Sequence, residues 1–228
     1  MGDAVNKGIF ITLEGGDGTG KSTQVRLLAD ALVQAGVSVE LTREIGGTPQ
    51  AEKIRDLIVQ RDADWDALAE AAMISAARRE HLTGKIWPAL KSGKWVVSDR
   101  FADSTSVFQG YGRGVDLAVI DKLYELVASD FQPDVTFIFD QDPNIGLQRT
   151  GKRFEAAGGS PDTTEDRFER MGVSFQEKVR QGYLDIARRF PDRCVVIDAS
   201  QDIERVHADV MAEIKRRFGV GGKAAAHG

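Results

Sequence analysis

Residues 15–22 read GGDGTGKS, which places Gly15, Gly20, Lys21 and Ser22 at the G-x-x-x-x-G-K-[ST] spacing of a polyphosphate-binding loop. Gly15, Gly18 and Gly20 let the backbone turn tightly, so that its N–H groups converge on an anion at the start of a helix. Lys21 then meets the β- and γ-phosphates of a nucleoside triphosphate, and the Ser22 hydroxyl meets Mg²⁺. The stretch Gly15, Gly16, Asp17, Gly18, Thr19, Gly20, Lys21, Ser22 and Thr23 is therefore the candidate ATP site. Asp17 is out of place in it, because a carboxylate beside phosphates costs energy unless it has a hydrogen-bond donor of its own to serve.

Such a loop is shared by GTPases, helicases, motors and small-molecule kinases, so residues elsewhere must choose among them. No Asn-Lys-x-Asp segment that would read guanine is present, and the chain is short for a helicase or motor. Transfer to a small acceptor calls for arginine forks on the acceptor phosphate. Arg43 and Arg100 each follow an apolar run, and Asp99, ending WVVSD, is placed to orient Mg²⁺ or its waters. Arg78 lies at helical spacing from Ile74 and Leu82, on an apolar face, where a buried guanidinium needs a partner. That partner is either a protein carboxylate or a ligand.

Five short β-branched or aromatic runs, at 8–14, 38–42, 94–99, 134–140 and 193–199, are expected to be strands. Apolar without alternation, they suit strands covered on both faces. Helical patterns at about 21–35, 50–59, 66–91, 115–129, 143–150, 165–190 and 202–217 separate them. The alternation predicts an α/β three-layer sandwich with a five-stranded parallel sheet flanked by helices, whose ligands lie at the carboxyl ends of the strands. One P-loop domain over 1–219 and a flexible tail at 220–228 are expected, with AAGGSPDTT at 156–164 as a mobile loop tip.

A net charge of −5 gives no broad electrostatic footprint for nucleic acid. Cys194, the single cysteine, lies in the apolar run CVVID and reads as a buried small hydrophobe. No apolar run is long enough to span a membrane, and MGDAVNKG lacks the basic-then-apolar order of a signal peptide, so a cytoplasmic protein is expected.

The segments GGDGTGKST, TREIGG, AAR, SDRFADSTSVFQGYGRG, EDRFE and IDAS, in this order, resemble the thymidylate kinase family from about residue 8 to 217. The resemblance implies Mg²⁺-ATP as donor, dTMP as acceptor and a homodimer. It implies that Asp17 faces the deoxyribose 3′-hydroxyl, that Arg43 and Arg100 bind the acceptor phosphate, and that Arg78 meets the base. Ser104 and Thr105 would read the polar edge of the base, and Gln109 would line the same pocket.

Some family members carry an arginine just after the loop carboxylate, and others supply it from a lid. Gly18 stands at that position here, so the chain resembles the lid-arginine type, with a lid at about 143–170 and Arg149, Lys152, Arg153 and Arg167 as its candidates. Three residues depart from the family pattern: Ile74 in place of a base-stacking phenylalanine, Phe108 in place of a tyrosine beside the sugar, and Ile45 in place of proline. Ile74 keeps a second acceptor, another deoxynucleoside monophosphate, in view. A non-catalytic nucleotide-binding regulatory protein is the third reading.

Overall fold

The computed structural model describes residues 8–60, 63–156, 168 and 171–220, without the side chains of 152–156. In chain order the elements are β1 (Phe10–Gly15), α1 (Lys21–Gln34), β2 (Val39–Arg43), α2 (Pro49–Ile58), α3 (Ala67–His81), α4 (Trp87–Lys91), β3 (Trp95–Asp99), α5 (Ala102–Thr105), α6 (Leu117–Ala128), β4 (Val135–Asp140), α7 (Pro143–Ala156), α8 (Val173–Arg189), β5 (Cys194–Asp198) and α9 (Ile203–Phe218). The five strands form one parallel sheet in the order β2-β3-β1-β4-β5. The expected α/β architecture is therefore the one found.

Period-two alternation divides the central strands between two layers. Ile11, Leu13, Val97, Phe137 and Phe139 point to one face and pack with Leu28 and Leu32 of α1 and Val206, Val210 and Ile214 of α9. Phe10, Val96 and Ile138 point to the other, under α4 and α8. That second face also buries Thr12, Glu14, Ser98 and Thr136, each 0% exposed, a polar stripe inside strands that read as mostly apolar without alternation. The edge strand β2 is only half covered, with Glu40 and Thr42 partly and Leu41 and Arg43 more fully open to solvent.

Register positions the site. Arg43 pairs with Asp99, and Asp99 with Leu13, so β2, β3 and β1 end at nearly the same level and deliver Arg43, Asp99, Arg100 and the glycine loop to one rim.

Four helical expectations differ from the structure: the helix expected at 143–150 runs on to Ala156, and three others depart more sharply. The run at 66–91 is interrupted by a π-helical segment, Leu82–Ile86. The helix expected from 165 begins at Val173, after Gly172 at φ 84°. Residues 102–112, not expected to be helical, form α5 and a π-helical segment, Ser106–Gly112. The loop tip at 156–164 and the tail from 221 lie outside the described residues, apart from the backbone of Ala156 at the end of α7.

Candidate active site

The loop between β1 and α1 has Gly15 at φ 140° and Gly18 at φ 74°, conformations that favour glycine. Each also lies against neighbouring backbone. A Cβ on Gly15 would sit 2.5 Å from the Phe139 carbonyl oxygen, and one on Gly18 would sit 2.2 Å from that of Gly146 in α7. Residue 18 thus has no room for an arginine while α7 is in this position. Helix α1 starts with no side-chain cap and no acidic residue in its first turn, leaving its N-terminal N–H groups and dipole to an anion.

Lys21 is 6% exposed, and its Nζ donates to the Gly16 carbonyl oxygen at 2.6 Å and to Thr19 Oγ1 at 3.3 Å. Burial, reinforced by the nearby Arg100 charge, lowers its pKa to about 8. Ser22 Oγ donates to Asp99 Oδ2 at 2.8 Å, so the two expected Mg²⁺-orienting groups meet. They are hard oxygen donors, and the described residues contain no cluster of three or more His, Cys, Asp or Glu side chains that could cage a metal. That donor set fits Mg²⁺, which keeps several waters and takes other ligands from substrate phosphates.

Arg100 has φ 68°, a sparsely populated conformation for a residue other than glycine. Its guanidinium donates to Asp17 Oδ1 at 2.7 Å, to the Gly15 carbonyl and Tyr183 Oη at 2.9 Å each, and to Ser104 Oγ at 3.2 Å. It also lies 4.9 Å from the centre of the Phe108 ring. Burial opposes its charge, but Tyr183, Asp17 and Glu14 outweigh that and hold it firmly protonated.

Arg78, 2% exposed, donates from Nε to Glu44 Oε2 and from Nη2 to Thr105 Oγ1, both at 2.8 Å. Glu44 in turn meets His81 Nδ1 at 3.1 Å, and His81 Nε2 lies 2.6 Å from Thr42 Oγ1. The buried guanidinium therefore has a protein carboxylate. Arg43 is held more loosely, by Glu52 at 3.1 Å, with its side chain 50% exposed. Ile45, where the family pattern has proline, follows a cis peptide bond from Glu44.

Asp17, Lys21, Ser22, Arg43, Arg78, Asp99 and Arg100 line a single cleft of ≈ 1120 Å³, together with Ile74, Phe108, Gln109 and Arg149. At one end the cleft reaches the β5–α9 junction at Ala199, Gln201 and Ile203. Arg149 donates to Gln141 Oε1 at 3.0 Å. The side chains of Lys152 and Arg153, and the whole of Arg167, lie outside the described residues.

Glu14 is the main site residue that the sequence did not single out. Fully buried, it accepts from the Phe101 N–H at 2.7 Å, Ser104 Oγ at 2.6 Å and Tyr183 Oη at 3.0 Å, directly behind Arg100. Burial, with the Asp103 charge adding to it, raises its pKa to about 7. Between pH 4.5 and about 7 the folded chain keeps a proton that the unfolded chain has lost, so stability falls as pH rises through that window. Glu14→Gln should flatten this decline. Melting temperatures of both proteins from pH 5 to 7.5 check it, and parallel curves would contradict the assignment.

The family model for thymidylate kinase matches residues 13–210. The thymidylate kinase of Caulobacter vibrioides is 46% identical over 217 residues, covering 95% of this chain and 100% of that protein. That of Dinoroseobacter shibae is 48% identical over 208 residues, covering 91% and 96%. The crystal structure of thymidylate kinase from Ehrlichia chaffeensis superposes with a TM-score of 0.73 at 40% identity, covering 91% of this chain and 98% of that one.

Proposed function

This chain belongs to the thymidylate kinase family, and from that membership we propose how its cleft divides the work between two nucleotides. It is a nucleoside monophosphate kinase: the γ-phosphoryl group of ATP passes to dTMP, giving dTDP and ADP. The observation that carries the division of labour is the 2.7 Å contact between Asp17, in the donor loop, and Arg100, in the acceptor clamp. One short loop thereby faces both substrates.

Residues 15–23 and Lys21 hold the donor phosphates. Arg100 and Arg43 hold the acceptor phosphate, Arg43 exchanging its exposed Glu52 partner for it. Asp17 uses Oδ1 for Arg100, which leaves Oδ2 to accept from the sugar 3′-hydroxyl. Ile74 and Phe108 wall the acceptor pocket, and Arg78, Ser104, Thr105 and Gln109 supply its polar contacts.

A phosphate monoester has its second pKa near about 6, so at pH 7 the attacking oxygen of dTMP is mostly deprotonated and needs no general base. That oxygen forms the new bond to the γ-phosphorus as the bond to the β,γ-bridging oxygen breaks, and ADP leaves with that electron pair. Catalysis is then positioning plus charge stabilisation. Ser22 and Asp99 would hold Mg²⁺, which when bound shields the phosphate charges. Arg149 and, four residues on in the sequence, Arg153 are the lid arginines of this proposal; the lack of space at Gly18 supports a lid source for that arginine.

The homodimer belongs to the same proposal, with Leu126 on α6, 81% exposed, as apolar surface a second copy would cover. So does a cytoplasmic setting; no helix among the described residues is long and apolar enough to cross a membrane. The non-catalytic reading gains no support from a cleft that gathers Lys21, Ser22, Asp99 and Arg100 together.

A coupled ADP-release assay over dTMP, dUMP, dCMP, dGMP, dAMP and UMP tests the function. The expected result is dTMP as best acceptor and weak use of UMP, whose 2′-hydroxyl meets the Phe108 side of the pocket. Another preferred deoxynucleotide would move the assignment to the altered acceptor that Ile74 keeps in view.

A further inference from the structure

The acceptor wall of the cleft is backed by a second buried carboxylate. Glu70 on α3 is 0% exposed, and its Oε1 accepts from Gln109 Nε2 at 2.8 Å. The same oxygen lies 3.1 Å from Arg113 Nη1, and Arg113 is itself anchored through Nη2 to the Trp65 carbonyl at 2.6 Å. Gln109 is 2% exposed and sits in the π-helical segment Ser106–Gly112, so its side chain has little freedom.

A carboxylate paired with a guanidinium offers acceptors only, so the amide that faces it must present its NH₂. This leaves the carbonyl oxygen as the acceptor that Gln109 can offer to the cleft it lines. Its neighbours have the opposite polarity. Arg78 has N–H groups to spare beyond those on Glu44 and Thr105, and Thr105 Oγ1, already accepting from Arg78, keeps its own proton to donate. The wall thus combines donors with one acceptor. Uracil and thymine present two carbonyl oxygens flanking an N3–H donor, which matches that set. Cytosine presents a bare N3 lone pair and an amino group, so N3 would face the Gln109 oxygen unpaired.

We infer that Glu70 is a positioning residue for base selectivity: acting through Gln109, it fixes the amide so that the pocket takes a 2,4-dioxopyrimidine and rejects cytosine. This rests on the proposed placement of the acceptor base against Gln109, Arg78 and Thr105. In Glu70→Gln combined with Arg113→Met, the guanidinium that would hold the new side chain's oxygen at this spot is gone, so the new amide can donate or accept and the Gln109 amide can turn over and offer its NH₂ to N3 of cytosine.

The test is kcat/KM for dUMP and dCMP, two acceptors that differ only at the hydrogen-bonding edge, in wild type, Glu70→Gln/Arg113→Met, Gln109→Met and the triple variant. The expected result is a fall of at least about 10-fold in the dUMP/dCMP ratio for Glu70→Gln/Arg113→Met, the scale set by one buried unpaired polar group. It should arise from a gain on dCMP relative to dUMP. In the Gln109→Met background the same change should leave the ratio unmoved, because the residue through which Glu70 acts is gone. Should Glu70→Gln/Arg113→Met fail to fold, Glu70→Met combined with Arg113→Met removes both charges and the acceptor that fixes the amide, and carries the same prediction. If both acceptors lose activity in parallel and the ratio holds, Glu70 is structural and the inference is overturned. If wild type does not prefer dTMP in the six-acceptor panel, the functional proposal fails, and this inference falls with it.

Discussion

Lys21→Ala should lower kcat by about 10²- to 10³-fold, the loss typical of removing one preorganised donor from a developing charge, while the melting temperature stays close to that of the wild type. The two halves of this result come from one fact. Lys21 is buried and its pKa is lowered to about 8, so the folded chain holds this cation at a cost, and removing it takes away a strained charge rather than a structural contact. Its two hydrogen bonds, to Gly16 and Thr19 of its own loop, are ones the phosphates replace. Steady-state kinetics with saturating dTMP, alongside a thermal melt, measures both. A variant turning over near the wild-type rate would remove Lys21 from the transfer step.

Arg100→Lys should have a comparable effect on a different parameter. The guanidinium serves Gly15, Ser104, Tyr183 and Asp17 together, a division that a single ammonium group cannot reproduce. We expect kcat/KM for dTMP to fall by about 100-fold or more, the equivalent of two lost charge-assisted hydrogen bonds, with KM for ATP changed far less. Stability should fall too, because the Gly15 carbonyl, Tyr183 and Asp17 share donors that one shorter ammonium group cannot all replace. Equal losses on both substrates would mean that Arg100 organises the loop as a whole and does not divide its substrates.

These two residues were legible in the sequence for different reasons. Lys21 belongs to a contiguous motif whose glycines state their own backbone requirement, so the loop could be read without knowing the fold. Arg100 and Asp99 were found because an apolar run ends at them, and parallel strands carry their chemistry at that end. Glu14 sits at the end of such a run as well. Its role went unseen because its partners are 87 to 169 residues away, at Phe101, Ser104 and Tyr183. The same holds for Glu44 with His81 and for Glu70 with Gln109, pairs separated by 37 and 39 residues.

Local pattern also hid structure where tertiary contact supplies it. The stretch 102–112 has two glycines and no helical apolar stripe, yet it is helical, with Gly110 pressed against Leu117 and Gly112 against Phe175, where a Cβ would approach each to 2.5 Å. Glycine there marks close packing rather than a turn. The polar stripe of Thr12, Glu14, Ser98 and Thr136 was masked by the apolar residues alternating with it.

The central claim is that two nucleotides meet phosphate to phosphate at the carboxyl rim of the sheet, with Asp17 facing the acceptor sugar. A crystal structure with a bisubstrate analogue joining adenosine to thymidine through a polyphosphate, in the presence of Mg²⁺, tests it most directly. The account predicts the polyphosphate on Lys21 and the loop N–H groups, the thymidine 3′-hydroxyl within hydrogen-bonding distance of Asp17, and Arg100 on the phosphate nearest the thymidine. Thymidine bound away from Asp17, or Arg100 without a phosphate contact, would contradict it.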